Sequence, residues 1–119
     1  MNLNHIHLHV RSAKASAAFY ARHFGMRELV WHGDMVFMRD EAGMDMALAT
    51  DPTPASFPDW FHIGYRLGSA EEVGALHERL KGEGVAITEP LTSEGGLTYF
   101  RCRDPDAYAL EIYYEPDPA

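Results

Sequence analysis

Polar and apolar residues alternate from His5 to Val10: His5, His7 and His9 fall on one side, and Ile6, Leu8 and Val10 on the other. Successive side chains of an extended strand point to opposite faces, so this stretch predicts a strand over residues 3–10 with an apolar face for a helix to cover and a histidine face for a wet cavity. A helix follows over about 13–24, capped by Ser12 and ended by Gly25, with Ala15, Ala18, Phe19 and Arg22 at helical spacing. Three short extended segments come next, Arg27–Trp31, Asp34–Arg39 and Met44–Thr50, with turns at His32-Gly33 and Glu41-Ala42-Gly43. Prolines 52, 54 and 58 mark a linker over 51–60. The plan then restarts with a strand at Phe61–Leu67 and a helix from the capping box Ser69-Ala70-Glu71-Glu72 to Lys81, with Val73, Leu76 and Leu80 on one face. Val85–Ile87 is a weak strand and Glu89–Gly96 a loop. Leu97–Arg103 and Tyr108–Glu115 form a hairpin around Asp104-Pro105-Asp106-Ala107, and the tail past Glu115 is expected to fray.

The restart is a repeat. His5 and His62, Ser12 and Ser69, Arg22 and Arg79, and Gly25 and Gly82 are each 57 residues apart. Each copy reads strand–helix–strand–strand–strand, and each alone is too small to bury one face of its sheet well, so the two should join. The predicted fold is α+β: two βαβββ units, about 1–50 and 61–115, forming a curved mixed sheet with helices outside and a cavity inside.

Composition narrows the partners. The chain has 119 residues, one domain's worth, with 46% hydrophobic and 24% charged residues. A net charge of −8 argues against nucleic acid or an anionic membrane surface as the main partner. A small anionic substrate stays open, because a local arginine can act inside an acidic protein. The single cysteine, Cys102, allows no intrachain disulfide. With no signal-like or membrane-length apolar run, a cytoplasmic location is the expectation.

The candidate chemistry lies on the polar faces of the strands. His5, His62 and Glu111 are each followed by isoleucine and sit on the polar side of an apolar strand. Two histidines and a carboxylate with open positions suit one divalent ion, Fe(II) or Mn(II) first, with Zn(II), Ni(II) or Co(II) also accommodated. The same three residues can also be read one at a time as ordinary polar-face side chains. His7 shares the face of His5 and is the candidate general base, or else a rim histidine; imidazole is the side chain suited to accept a proton near neutral pH. His9 should face solvent. Tyr113 shares the face of Glu111 and can hydrogen-bond a substrate oxygen, or is there as a strand former. Trp31 and Trp60 are expected in the core.

A twice-repeated βαβββ unit carrying Leu3-Asn4-His5-Ile6, Phe24-Gly25, His62-Ile63 and Asp104-Pro105-Asp106-Ala107 leading to Leu110-Glu111 resembles the vicinal oxygen chelate superfamily. That superfamily holds glyoxalase I, fosfomycin-resistance enzymes, extradiol dioxygenases and bleomycin-resistance proteins. The resemblance implies that each unit curves into a half-cup, that His5, His62 and Glu111 hold the metal, and that the strand bearing Tyr99 and Arg101 lines the cup. Arg101 is then a candidate anchor for a substrate carboxylate or phosphate, or a plain surface arginine. It implies a homodimer and a small-molecule substrate that chelates the metal through adjacent oxygens, in lyase, isomerase, transferase or dioxygenase chemistry. The rival is a bleomycin-resistance-type protein that sequesters its ligand; such binders generally lack the complete ligand set present here. Two departures matter. Ala107 stands where the family usually has Gly, which should change the turn's geometry. Asp45 is all that Met44–Thr50 offers as the fourth ligand and catalytic base of glyoxalase I, so that activity is not expected. Fosfomycin modification is not expected either, because Glu89-Pro90-Leu91-Thr92 replaces the cationic loop before Ser93-Glu94-Gly95.

Overall fold

The computed structural model describes residues 1–117. It divides into two compact units, Met1–Ser56 and the chain from Phe57 onward. Unit 1 contains β1 (His5–Val10), α1 (Ala13–Phe24), β2 (Arg27–His32), β3 (Met35–Arg39) and β4 (Asp45–Thr50). Unit 2 contains β5 (His62–Arg66), α2 (Ala70–Gly82), β6 (Ile87–Glu94), β7 (Leu97–Arg103) and β8 (Ala109–Tyr114). Each unit has its own four-stranded mixed sheet, ordered β1-β4-β3-β2 in unit 1 and β5-β8-β7-β6 in unit 2. In both, the first strand pairs in parallel with the last, and the other pairings are antiparallel. The expected βαβββ order is present twice. Of the expected frayed tail, residues 118–119 lie outside the described residues. No helix among the described residues is long and apolar enough to cross a membrane.

Caps hold the helices where the sequence signals put them. The Ser12 hydroxyl accepts from the Ala15 amide at 3.1 Å, and Gly25 closes α1 in the left-handed region with φ +65°. Ser69 accepts from the Glu72 amide at 3.1 Å, and the Glu72 carboxylate in turn accepts from the Gly68 amide at 2.7 Å, one residue before the cap.

One face of each sheet is sealed by its helix. Leu8, Val10, Val36, Met38, Met46 and Leu48 are buried in unit 1 together with Ala13, Ala17 and Tyr20 of α1. Phe100, Cys102, Leu110 and Ile112 are buried in unit 2 together with Val73, His77 and Leu80 of α2. Burying each large side chain contributes roughly 1.5–3 kcal/mol. The opposite sheet faces carry the polar side chains.

Four expectations are corrected. The inner face of α1 is Ala13, Ser16, Ala17, Tyr20 and His23, not Ala15, Ala18, Phe19 and Arg22. Alanine and serine specify a helix face weakly, and burial of the Tyr20 ring decides it. Residues 89–94 are strand rather than loop: β6 pairs with β7 through two register shifts. Pro90 fits there because β6 is a sheet edge, where bulges absorb a missing amide donor. Trp60 is 74% exposed and Trp31 41%, so neither fills the core. Ala107 keeps a left-handed backbone, φ +68°, so the turn bears strain in place of a change of shape. It is held there because Asp104 Oδ1 accepts from the amides of Asp106 and Tyr108, both at 2.9 Å.

Since glycine adopts that conformation without a Cβ clash, Ala107→Gly should raise unfolding stability by about 0.5–1 kcal/mol, the left-handed strain less the added chain entropy. Urea unfolding of the two proteins measures it; equal or lower stability would show that the turn is unstrained.

Candidate functional site

In unit 2 the parallel register pairs Gly64 of β5 with Glu111 of β8, and the antiparallel register pairs Glu111 with Arg101 of β7. Cα partners share a sheet face, so Glu111, Arg101 and Gly64 form one row across three strands. Tyr113 and Tyr99 form the next row along the same face. The ring of Tyr113 covers Gly64, where a Cβ would meet it at 3.6 Å. His62 reaches toward the first row: its Nε2 lies 3.8 Å from Glu111 Oε2. Arg101 donates to that same oxygen from Nε at 3.0 Å, and its Nη2 lies 2.9 Å from it as an ion pair. The site residues expected in this unit therefore gather as His62, Glu111 and Arg101, with Tyr99 and Tyr113 beside them.

Hydrogen bonds fix the His62 tautomer. Its Nδ1 lies 3.0 Å from the carbonyl oxygen of Trp60, an acceptor only, so Nδ1 carries the proton. Nε2 is then left with its lone pair. His5 in unit 1 is arranged alike, with Nδ1 donating to the side-chain oxygen of Asn4 at 3.0 Å. Metal-ligating histidines typically show this pattern, one ring N–H tied to an oxygen and the other nitrogen bare. Two atoms each about 2.1 Å from one ion lie roughly 3.0–4.2 Å apart, and the His62–Glu111 separation of 3.8 Å falls within that span. The donor set thus fits a divalent transition ion. Among the described residues, no three His, Cys, Asp or Glu side chains gather into a metal-binding group.

Unit 1 sets His5 in register with Asp45, His7 with Ala47 and His9 with Ala49. Asp45 is engaged by Arg39 through both oxygens, Nε to Oδ1 at 2.6 Å and Nη2 to Oδ2 at 3.0 Å. That hydrogen-bonded guanidinium holds the Asp45 carboxyl below its ordinary range. A carboxylate held at both oxygens has little to offer a metal. The His7 and His9 rings lie 5.3 Å apart, and His9 Nδ1 donates to Asp51 Oδ2 at 2.9 Å. The His9 bond, then the Thr53 amide, keep Asp51 below its usual value. His9 is exposed as expected, but its carboxylate partner came from a stretch that reads only as linker.

Glu89 was missed altogether, because Pro90 made its segment look like a loop. It is the Cα partner of Arg101, and its carboxylate lies 3.8 Å from Arg101 Nη1. Burial, with the Asp104 charge nearby, pushes the Cys102 thiol to about 12, which leaves it an inert core residue.

Comparison with known proteins agrees with this layout. The sequence profile of the Glyoxalase/Bleomycin resistance protein/Dioxygenase superfamily matches residues 2–112, and the chain belongs to that superfamily. It is 30% identical over 116 residues to the manganese-dependent 2,3-dihydroxybiphenyl 1,2-dioxygenase of Geobacillus genomosp. 3, a match covering 93% of this chain and 36% of that enzyme. The chain thus spans little more than a third of that relative. Among solved structures it resembles a possible glyoxalase from Bacillus cereus, with TM-score 0.82, 26% identity, and 94% of this chain and 97% of that one covered. It also resembles the fosfomycin resistance protein FosX from Listeria monocytogenes, with TM-score 0.85, 24% identity, and 98% and 94% covered; that likeness concerns the fold alone.

The Arg39–Asp45 pair gives a pH prediction. A carboxyl whose folded value lies below its unfolded one stabilises the fold above about pH 4, and that stability is lost as pH falls toward the folded value. Asp45→Asn should therefore lower stability at pH 7 and flatten its fall between about pH 4 and 2. Parallel acid limbs in denaturation curves of the two proteins would remove the pair from the acid response.

Proposed function

We propose that this chain is a divalent-metal-dependent enzyme whose ion is held by His5, His62 and Glu111, and whose substrate is a small molecule with two adjacent oxygens. The observation carrying this reading is the matched state of the two histidines, each with Nδ1 committed to an amide oxygen and Nε2 bare. The dioxygenase relative adds support, since its name gives both a manganese requirement and a substrate with neighbouring hydroxyls. When bound, the ion would act as a Lewis acid on the substrate's paired oxygens.

The chain's own groups supply the rest. His7, two residues from His5 on β1, stands roughly 6.6 Å further along the strand, and its ring is the proposed proton acceptor. The Tyr113 and Tyr99 hydroxyls, side by side on β8 and β7, are the proposed hydrogen-bond donors to substrate. Ala47 is the Cα partner of His7 across unit 1's sheet, with Phe37 next beyond it. A homodimer is proposed as the working assembly.

Titrating metal-free protein with Mn(II) should show one ion per chain. His62→Ala should weaken it by at least about 100-fold, beyond the ~10–100-fold carried by outer partners, while His32→Ala should leave it unchanged. Absence of binding by the wild type, or equal binding by His62→Ala, would overturn the proposal. Binding without turnover of any adjacent-oxygen compound would favour the sequestering alternative.

A further inference from the structure

We propose that the polar face of the unit 1 sheet binds a small organic carboxylate, with Arg27 gripping the carboxylate and the Phe37–Val30 strip carrying the apolar body. The inference deepens the proposed function, on which it rests only in calling this ligand the substrate. The strand registers set four side chains in one row across the sheet: His5, Asp45, Arg39 and Arg27. The next row is His7, Ala47, Phe37 and Val30. Val36 and Met38, which alternate with Phe37 and Arg39 on β3, are fully buried, so both rows lie on the sheet face turned away from α1. The first row sets two guanidinium charges against one carboxylate, in a chain whose net charge is −8.

Arg39 takes both oxygens of Asp45, and Arg27 is left over. Among the described residues Arg27 is the one arginine with neither a hydrogen bond nor an ion pair. The hydrogen bond from Arg39 is the main cause that lowers Asp45, and the charges of His5 and Arg27 add to it, which puts the Arg27 guanidinium on this face. Neither neighbouring acid neutralises it. Glu28 is the Cα partner of Met38 and belongs to the other face, and Asp40 Oδ1 accepts from the amides of Ala42 and Met44. Like charges directly opposite on adjacent strands destabilise the fold, and proteins tolerate such costs where function needs them. A carboxylate seated at Arg27 removes the imbalance, because its two oxygens match the planar guanidinium fork. Beside Arg27 the second row turns apolar. Val30 is 45% exposed, and Phe37 is half-buried with its ring held edge-on to His32 at 5.8 Å. A ligand gripped by Arg27 therefore extends along Val30 and Phe37 in the direction of His7. Arg101 suits an anion less, since Glu89 and Glu111 flank it and repel like charge.

Benzoate and its neutral isostere benzamide are the probes, titrated into 15N-labelled, metal-free protein at fixed ionic strength and followed by nuclear magnetic resonance. Benzoate should shift the Arg27 side-chain N–H and the amides of β2 and β3, and should bind about 10-fold or more tightly than benzamide. Arg27→Gln should remove that preference and leave benzamide binding unchanged. Lys14→Gln, which takes the same charge from the exposed side of α1, should keep it. Phe37→Leu should weaken both probes alike. In urea Arg27→Gln should be at least as stable as the wild type, because a repulsion is removed; lower stability would assign Arg27 to the fold and overturn the inference. Benzoate bound no better than benzamide, or equally by the wild type and Arg27→Gln, overturns it too. Inorganic phosphate that displaces benzoate at equal concentration overturns the apolar half of the assignment. With no metal present, these failures leave the metal reading standing, and a wild type that binds no Mn(II) leaves the carboxylate site standing.

Discussion

Every side chain in the unit 2 site depends on the register of β8. Leu110 and Ile112 are fully buried on one side of that strand, while Glu111 and Tyr113 emerge on the other. A shift of one residue would drive Glu111 and Tyr113 into the core and expose two large aliphatic side chains, at several kcal/mol. The core therefore holds the chemistry in place. β8 lies between β5 and β7, so the same register sets Glu111 beside Arg101 on one flank and brings His62 near it from the other. Site and core are two faces of one constraint.

The repeat duplicates the scaffold without duplicating the chemistry. Both units pair a carboxylate on their last strand with an arginine on the strand before it. In unit 1 the carboxylate, Asp45, is level with His5; in unit 2 Ala109 is level with His62, and Glu111 lies two residues further on. The position in β4 that matches Glu111 is Ala47, two residues beyond Asp45. Moving a carboxylate by one pleat repeat converts a possible ligand into half of a closed ion pair. Such a difference leaves the fold untouched, because both positions lie on the polar face.

Much of this was legible in the sequence for physical reasons. Alternation in His5–Val10 and the 57-residue offset carried the strand order, both helices and their serine caps, and these rest on local rules. Where the rules were weak, the reading drifted. The small residues of α1 could not tell one helix face from its neighbour, and Tyr20 took the place assigned to Phe19. Pro90 hid β6, since a proline breaks an inner strand but not an edge. Trp60 looked like core because of its size, but it lies at the start of unit 2 with its ring exposed. His62 and Glu111 were singled out from their matched contexts. The contacts His62–Trp60, Glu111–Arg101 and Arg101–Glu89 were out of reach, because each depends on cross-strand register or on a turn's local geometry.

The central claim, that the bare Nε2 atoms of His5 and His62 serve one ion with Glu111, is tested most directly by counting nitrogens on that ion. Pulsed electron paramagnetic resonance of the Mn(II)-loaded protein, grown with 15N-labelled histidine, reads the imidazoles bound to the metal. The account predicts two in the wild type, falling to one in His5→Gln and to one in His62→Gln. A wild-type ion carrying one imidazole or none, or a count unaffected by either substitution, would contradict it.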